Sequence, residues 1–205
     1  VERKSAVKKS VFFKPYLGYV NKVRDKMEKI IIDADRFLRT ISRISHEIIE
    51  KHQDFDNVIL VGVKRRGAEI AELIQRRIEE LNGVSLPMME LDITFYRDDL
   101  EYVEPENPTP VYSGASSYMN IQGKEVILID DVLFTGRTIR AAMDALTDFG
   151  RAAKIELVIL VDRGHRELPI RADYVGKNVP TSRDEQVQVR TLKYDGCYEV
   201  ALLSK

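Results

Sequence analysis

From Asp33 onward the apolar positions switch repeatedly between helical and strand-like spacing, and that alternation predicts a parallel α/β sheet. Phe37, Ile41, Ile44 and Ile48 recur at helical spacing behind Asp33 and Asp35, either of which can cap the helix. Val58 to Val63 is a short apolar, largely β-branched run, the pattern of a strand buried on both faces. Ile70, Ala71, Ile74, Ile78 and Leu81 then trace a second amphipathic helix that stops near Asn82-Gly83. Leu86 to Phe95 reads as a strand, and Glu125 to Asp131 as another. The latter turns through Leu133 to Thr138 into a helix with Ile139, Met143, Leu146 and Phe149 on one side, ending at Gly150. Ile155 to Val161 predicts a further strand, with shorter ones at Tyr174-Val175, Gln186 to Leu192 and Cys197 to Leu203.

One connection breaks the rhythm. Arg97 to Tyr118 is polar, carries Pro105, Pro108 and Pro110 in acidic surroundings, and is too long for an ordinary link between elements. Loops of that length tend to be functional lids or disordered segments.

A chain of 205 residues supports one substantial core. With 44% hydrophobic and 32% charged residues it has a globular profile, and its apolar runs fall short of the roughly 18 residues of a membrane span. The single cysteine, Cys197, excludes an internal disulfide and fits a reducing cytoplasm. A net charge of −1 gives no global case for nucleic-acid binding, so any such site must be a local basic surface. Charge is unevenly spread: residues 1 to 26 carry a net +6, leaving −7 for residues 27 to 205. The opening segment has neither an apolar signal core nor a small-residue cleavage pattern. We expect a basic, poorly ordered extension over 1–26 and a single working domain over 27–205.

The chemistry concentrates in Val126-Ile127-Leu128-Ile129-Asp130-Asp131-Val132-Leu133-Phe134-Thr135-Gly136-Arg137-Thr138. A buried strand delivers two carboxylates to its carboxyl end, where ligands of open α/β sheets bind. The turn Thr135 to Thr138 opens a helix, whose unpaired N–H groups and dipole favour a phosphate, with Gly136 permitting close approach. Asp130 and Asp131 are acceptors suited to vicinal ribose hydroxyls, directly or through hydrated Mg²⁺. A second strand-to-helix turn, Gly62-Val63-Lys64-Arg65-Arg66-Gly67, joins three consecutive cations to flexible glycines and suits a pyrophosphate. Either turn alone is compatible with a solvated loop; together they match a sugar phosphorylated at both ends.

The thirteen-residue run resembles the phosphoribosyl pyrophosphate (PRPP) motif of type I phosphoribosyltransferases. Together with YRDDL and the stretch from Val161 to Ser182, it narrows the likeness to the pyrimidine operon attenuation regulators, over nearly everything from Ile30 to the C-terminus. The resemblance implies a mainly parallel central sheet flanked by helices, with a small hood and a flexible lid loop. Asp130 and Asp131 then take the ribose; Val132, Leu133, Phe134, Thr135, Gly136, Arg137 and Thr138 line the 5′-phosphate side; Lys64, Arg65, Arg66 and Gly67 hold pyrophosphate. The lid is Asp92 to Asp99, with Tyr96 and Arg97 reaching the pyrophosphate when closed. Phe134 stands where purine-salvage enzymes place an Asp, which disfavours a purine. Arg163, Tyr174, Val175 and Val179 would meet a pyrimidine base.

The implied activity is uracil + PRPP giving UMP + pyrophosphate, with Mg²⁺ carried by PRPP and bound to protein at most through Asp130 and Asp131. The likeness also implies UMP- or UTP-dependent binding of a pyrimidine-operon leader transcript, by a homodimer or homohexamer. Arg36, Arg39, Arg43 and His46 form a basic stripe opposite the Ile face of the first helix, which Arg166, Arg171 and Lys177 could extend. Two rivals stay open from the residues alone. One is an RNA-binding regulator with little or no turnover, and the other is a transferase for a different base with no RNA role.

Overall fold

The computed structural model describes residues 27–52, 54–96 and 119–204. Eight strands form two sheets. The larger holds β2 (Val58–Val63), β3 (Met88–Leu91), β4 (Glu125–Leu133), β5 (Lys154–Asp162) and β6 (Tyr174–Asn178), ordered β3-β2-β4-β5-β6. All four pairings in it are parallel. The smaller is antiparallel, with β1 (Met27–Ile32) and β7 (Gln186–Arg190) on either side of β8 (Glu199–Ser204).

Three helices cover the parallel sheet. The helix α1 (Ala34–Lys51) starts where Asp33 accepts a hydrogen bond from the Arg36 amide at 2.9 Å, so Asp33 rather than Asp35 is the cap. The helix α2 (Arg66–Asn82) closes on Gly83 in the left-handed conformation. Phe37, Ile41, Ile44 and Ile48 of α1 share a core with Ile70, Ile74 and Ile78 of α2 on one face of the sheet. The helix α3 (Arg137–Leu146) buries Ile139, Ala142 and Leu146 against the other face. Hydrophobic burial of this kind supplies most of the helices' stability.

From β2 the chain crosses to β3 on one side and later returns to β4 on the other, with α2 and α3 on opposite faces. Strand order therefore reverses between β2 and β4, and a crevice at the carboxyl ends of those strands is where such sheets bind ligands.

Several boundaries differ from the expectation. Leu86 to Phe95 shrinks to β3, because the Asp92 carboxylate accepts from the Thr94 amide and hydroxyl and bends the chain into a 3-10 turn, Thr94–Tyr96. The third helix tightens into a second 3-10 turn, Thr147–Phe149, before Gly150. Gln186 to Leu192 ends as a strand at Arg190 and becomes the four-residue helix α4 (Leu192–Asp195). No helix among the described residues is long and apolar enough to cross a membrane.

Candidate functional site

The β4–α3 turn lies at the reversal point. Gly136, the residue preceding α3, has φ 95°, a conformation that favours glycine. A side chain there would press on Leu168 and Ile170, 3.3 Å from a Cβ. The β5–β6 connection thus covers the turn, and it is fastened there: the Thr135 carbonyl accepts from the amides of Glu167 and Leu168 at 3.0 and 3.1 Å. Arg137 extends outward to Glu167 at 3.0 Å, and its amide donates to Thr135 Oγ1. The amides of Thr138 and Ile139 lie in the first turn of α3 and have no acceptor within the helix, which makes this end a seat for an anion.

The second turn, between β2 and α2, is pressed against β4. A Cβ on Gly67 would stand 2.6 Å from the Ile129 carbonyl oxygen and 3.2 Å from Asp130 Oδ1, so only glycine allows this approach. The peptide joining Lys64 to Arg65 is cis. Arg66 donates through Nε and Nη2 to the two carboxylate oxygens of Asp195 in α4, at 3.1 and 2.9 Å. That pair holds the Asp195 carboxyl below the usual carboxylate range and raises Arg66. Lys64 lies 3.7 Å from Asp92. The start of α2 therefore borders the acids of β4, with Gly67 against Asp130 and the Arg66 charge acting on Asp131. Asp195 was not among the expected site residues, since a single Asp before a glycine turn carries no signal of a partner so distant in sequence.

Asp130 is 5% exposed, and Asp131, more open, accepts the Val132 amide at 2.7 Å. Burial pushes the Asp131 carboxyl above the ordinary range, opposed by the Val132 amide and the Arg66 charge. Adjacent carboxylates under that electrostatic load are stabilised by hydroxyl donors or a cation. Among the described residues no group of three or more His, Cys, Asp or Glu could enclose a metal. Two acids form only part of a Mg²⁺ shell, and ligand oxygens and water would complete it. The residues present therefore fit a metal that arrives with a phosphorylated ligand.

Beside the β4–α3 turn, Phe134 carries the Arg163 guanidinium 4.0 Å above its ring centre and His165 edge-on at 6.1 Å. Arg163 also donates to Thr181 Oγ1 and to the carbonyls of Ser182 and Glu185, tying the strap after β6 over Phe134. Burial lowers its pKa. Val179 follows β6 at the same edge, its amide donating to the Asp162 carbonyl at 2.8 Å, while Val175 packs with the α3-side core.

Two expected residues lie elsewhere. Tyr174 is 4% exposed, and its hydroxyl donates to Glu156 near the amino end of β5, so its ring walls the core and not the crevice. Arg166 points inward: it pairs with Asp162 and donates to the carbonyls of Phe134 and Ile170 at 2.9 and 3.0 Å, so it braces the site instead of extending a surface stripe. Arg97, Asp98 and Asp99 of the expected lid and residues 1–26 lie outside the described residues. At the lid's near end, Tyr96 donates to Asp148.

The basic stripe is gathered on one face. A groove of about 290 Å³ is lined by Ile32, Arg36, Arg39, Thr40, Arg43, Gly176 and Lys177. Arg43 donates to the carbonyls of Val175 and Gly176 and pairs with Glu47, locking α1 to β6. Lys177 donates to the Ile31 carbonyl at 3.2 Å, His46 contacts the Ser42 carbonyl at 2.7 Å, and Arg171 is exposed.

A parallel sheet whose strand order reverses between two glycine-bearing strand-to-helix turns, with paired carboxylates between them, has the architecture of a type I phosphoribosyltransferase. The phosphoribosyl transferase domain family matches residues 28–195. Bifunctional protein PyrR of Haemophilus influenzae is 82% identical over 179 residues, covering 87% of this chain and 100% of that protein. The PyrR of Mannheimia succiniciproducens is 77% identical over the same shares of both chains. The chain belongs to the PyrR family of phosphoribosyltransferases. The fold is shared with hypoxanthine phosphoribosyltransferase from Trypanosoma cruzi in complex with IMP, at TM-score 0.61 and 19% identity over 88% of this chain and 90% of that one. It is shared also with the Leishmania tarentolae enzyme in complex with GMP, at TM-score 0.62 and 14% identity over 87% and 98%.

Proposed function

We propose that the protein transfers the phosphoribosyl group of PRPP to uracil, and that the resulting UMP, or UTP, promotes its binding to the leader transcript of pyrimidine genes. The observation carrying the transferase reading is the contact of Gly67 with Ile129 and Asp130, which sets two anion-binding turns side by side with the acids between them. In the reaction, N1 of uracil forms a bond to C1′ as the C1′–pyrophosphate bond breaks, the electron pair leaves with pyrophosphate and N1 gives up its proton. Asp130 and Asp131 hold the ribose hydroxyls and stabilise positive charge developing on the sugar. The amides of Thr135 to Thr138 hold the 5′-phosphate, and the Lys64–Gly67 turn receives pyrophosphate. Mg²⁺ bound with PRPP neutralises part of the pyrophosphate charge.

Uracil is favoured over a purine by Phe134, which offers a ring face where a carboxylate would be needed to receive a purine N–H. Arg163, Val175 and Val179 border the base. RNA phosphates are read by Arg39, Arg43 and Lys177, which line one groove between α1 and β6, together with His46 on α1 and the exposed Arg171 of the β5–β6 connection. The assembly is a homodimer or homohexamer in the cytoplasm.

Following PRPP-dependent product formation with uracil, hypoxanthine and orotate in parallel tests the transferase. UMP should form and the other two bases should stay unreacted; equal turnover of hypoxanthine would refute the base assignment. A filter-binding titration of leader RNA with and without UMP tests the regulator, and affinity indifferent to UMP would remove it.

A further inference from the structure

The bidentate pair between Arg66 and Asp195 stands apart from the other ion pairs because it joins the pyrophosphate turn to the smaller sheet. Arg66 is the first residue of α2, and the residue before it contributes no side-chain cap. Asp195 closes the four-residue helix α4 between β7 and β8. Its Oδ2 accepts the Thr191 amide at 2.9 Å as well as Arg66 Nε at 3.1 Å, while Oδ1 accepts Arg66 Nη2 at 2.9 Å. Nearby, the buried Glu69 carboxylate accepts the Lys193 amide at 3.0 and 3.2 Å, clipping α4 to the first turn of α2. The carboxylate facing Arg66 is thus immobilised on both sides of the contact.

Arg66 has a second anion within electrostatic reach. Its charge acts through space on Asp131, while its hydrogen bonds go to Asp195. Two of the five guanidinium donors are held by Asp195, which leaves three for an incoming anion in a fixed orientation.

We propose that Asp195 is a positioning residue for pyrophosphate: by holding the Nε and Nη2 edge of Arg66 it fixes the guanidinium so that its remaining donors are presented to the leaving group. The inference rests on reading the β2–α2 turn as the pyrophosphate site. Calorimetry of the full chain with Mg-pyrophosphate alone, joined to steady-state kinetics, tests it. Asp195→Asn keeps the shape and loses the charge-assisted fork. It should weaken pyrophosphate binding and raise KM for PRPP by about tenfold, the order of one charge-assisted hydrogen bond. KM for uracil and kcat should stay within about twofold of wild type, on the principle that only uniform binding is lost. In an Arg66→Met background the same substitution should change pyrophosphate affinity by less than about twofold, since the partner it acts through is gone.

Unchanged pyrophosphate affinity in Asp195→Asn overturns the proposal. So does a loss of equal size in the Arg66→Met background, a parallel rise in KM for uracil, or a wild-type chain that binds no pyrophosphate. Should Asp195→Asn not fold, Asp195→Glu replaces it: the longer arm keeps the charge and displaces the fork, and wild-type affinity there is equally fatal. Failure of uracil transfer with this pyrophosphate pattern intact would remove the base assignment and leave Asp195 in its role.

Discussion

The Arg163 guanidinium lies over the Phe134 ring, 4.0 Å from its centre, while its N–H groups hold the Thr181–Glu185 strap. The arrangement makes one side chain the floor for another. Phe134→Leu removes the ring and loosens Arg163. Contacts of this kind are worth about 0.5 to 2 kcal/mol, so KM for uracil should rise from about 2-fold to 30-fold. Initial-rate kinetics should find KM for PRPP unmoved, and a change confined to PRPP would place Phe134 outside the base site.

Asp131→Asn should separate activity from stability. The amide keeps the shape but loses the charge offered to ribose, and transfer should fall by about 10²-fold or more. Burial raises this carboxyl, so its ionised form opposes folding: the stability it confers is present at low pH and declines as pH climbs from the ordinary carboxylate value toward the raised one. At neutral pH the Asn variant should therefore melt at or above the wild-type temperature. A variant that is both inactive and markedly less stable would contradict this account.

Glu156 anchors the opposite end of the sheet. Only 1% exposed, it accepts the Tyr174 hydroxyl at 2.7 Å and the His52 ring at 3.0 Å, with Lys51 Nζ at 2.9 Å and Lys154 closer still. Its Oε1 lacks a well-directed hydrogen bond, so the lysines act there by charge. These donors outweigh the cost of burial and hold the carboxyl down to about 2. A depressed carboxyl stabilises the fold above its unfolded value and loses that effect as pH falls from there toward 2. The contribution is on the order of 3 kcal/mol. Urea titrations at neutral and acid pH should show wild type losing more stability on acidification than Glu156→Gln, which begins lower and changes less.

For the RNA surface, Arg39 is the clean probe, because Arg43 also locks α1 to β6. Its side chain is 79% exposed and pairs loosely with Asp35, at 4.0 Å. Arg39→Ala should leave the melting temperature unchanged and reduce the salt dependence of leader-RNA binding by about one unit of slope. An unaltered slope would place the transcript elsewhere.

The elements legible in the sequence were those whose pattern is settled locally. Val58 to Val63 is buried at every position, and the expected strand and the observed one coincide. Both strand-to-helix turns could be read because a short apolar run that ends in glycine and polar residues before a helical repeat marks such a junction locally. The strand β1 escaped notice because four of its six residues are exposed, and it exists through pairing that sets Met27 against Ser204. Arg166 misled because a cation on a loop usually faces water, whereas here the carbonyls of Phe134 and Ile170 need a buried donor. Tyr174 misled similarly, since only the folded sheet brings Glu156 within reach of its hydroxyl.

Gly67 touches the β4 backbone with no side chain between. The gap between the two strand-to-helix turns is consequently gauged by main chain, like the fixed jaws of a caliper. Residues of the β5–β6 connection and the strap after β6 lie outside that gauge. Side chains there can be exchanged with the spacing of the two turns left as it was.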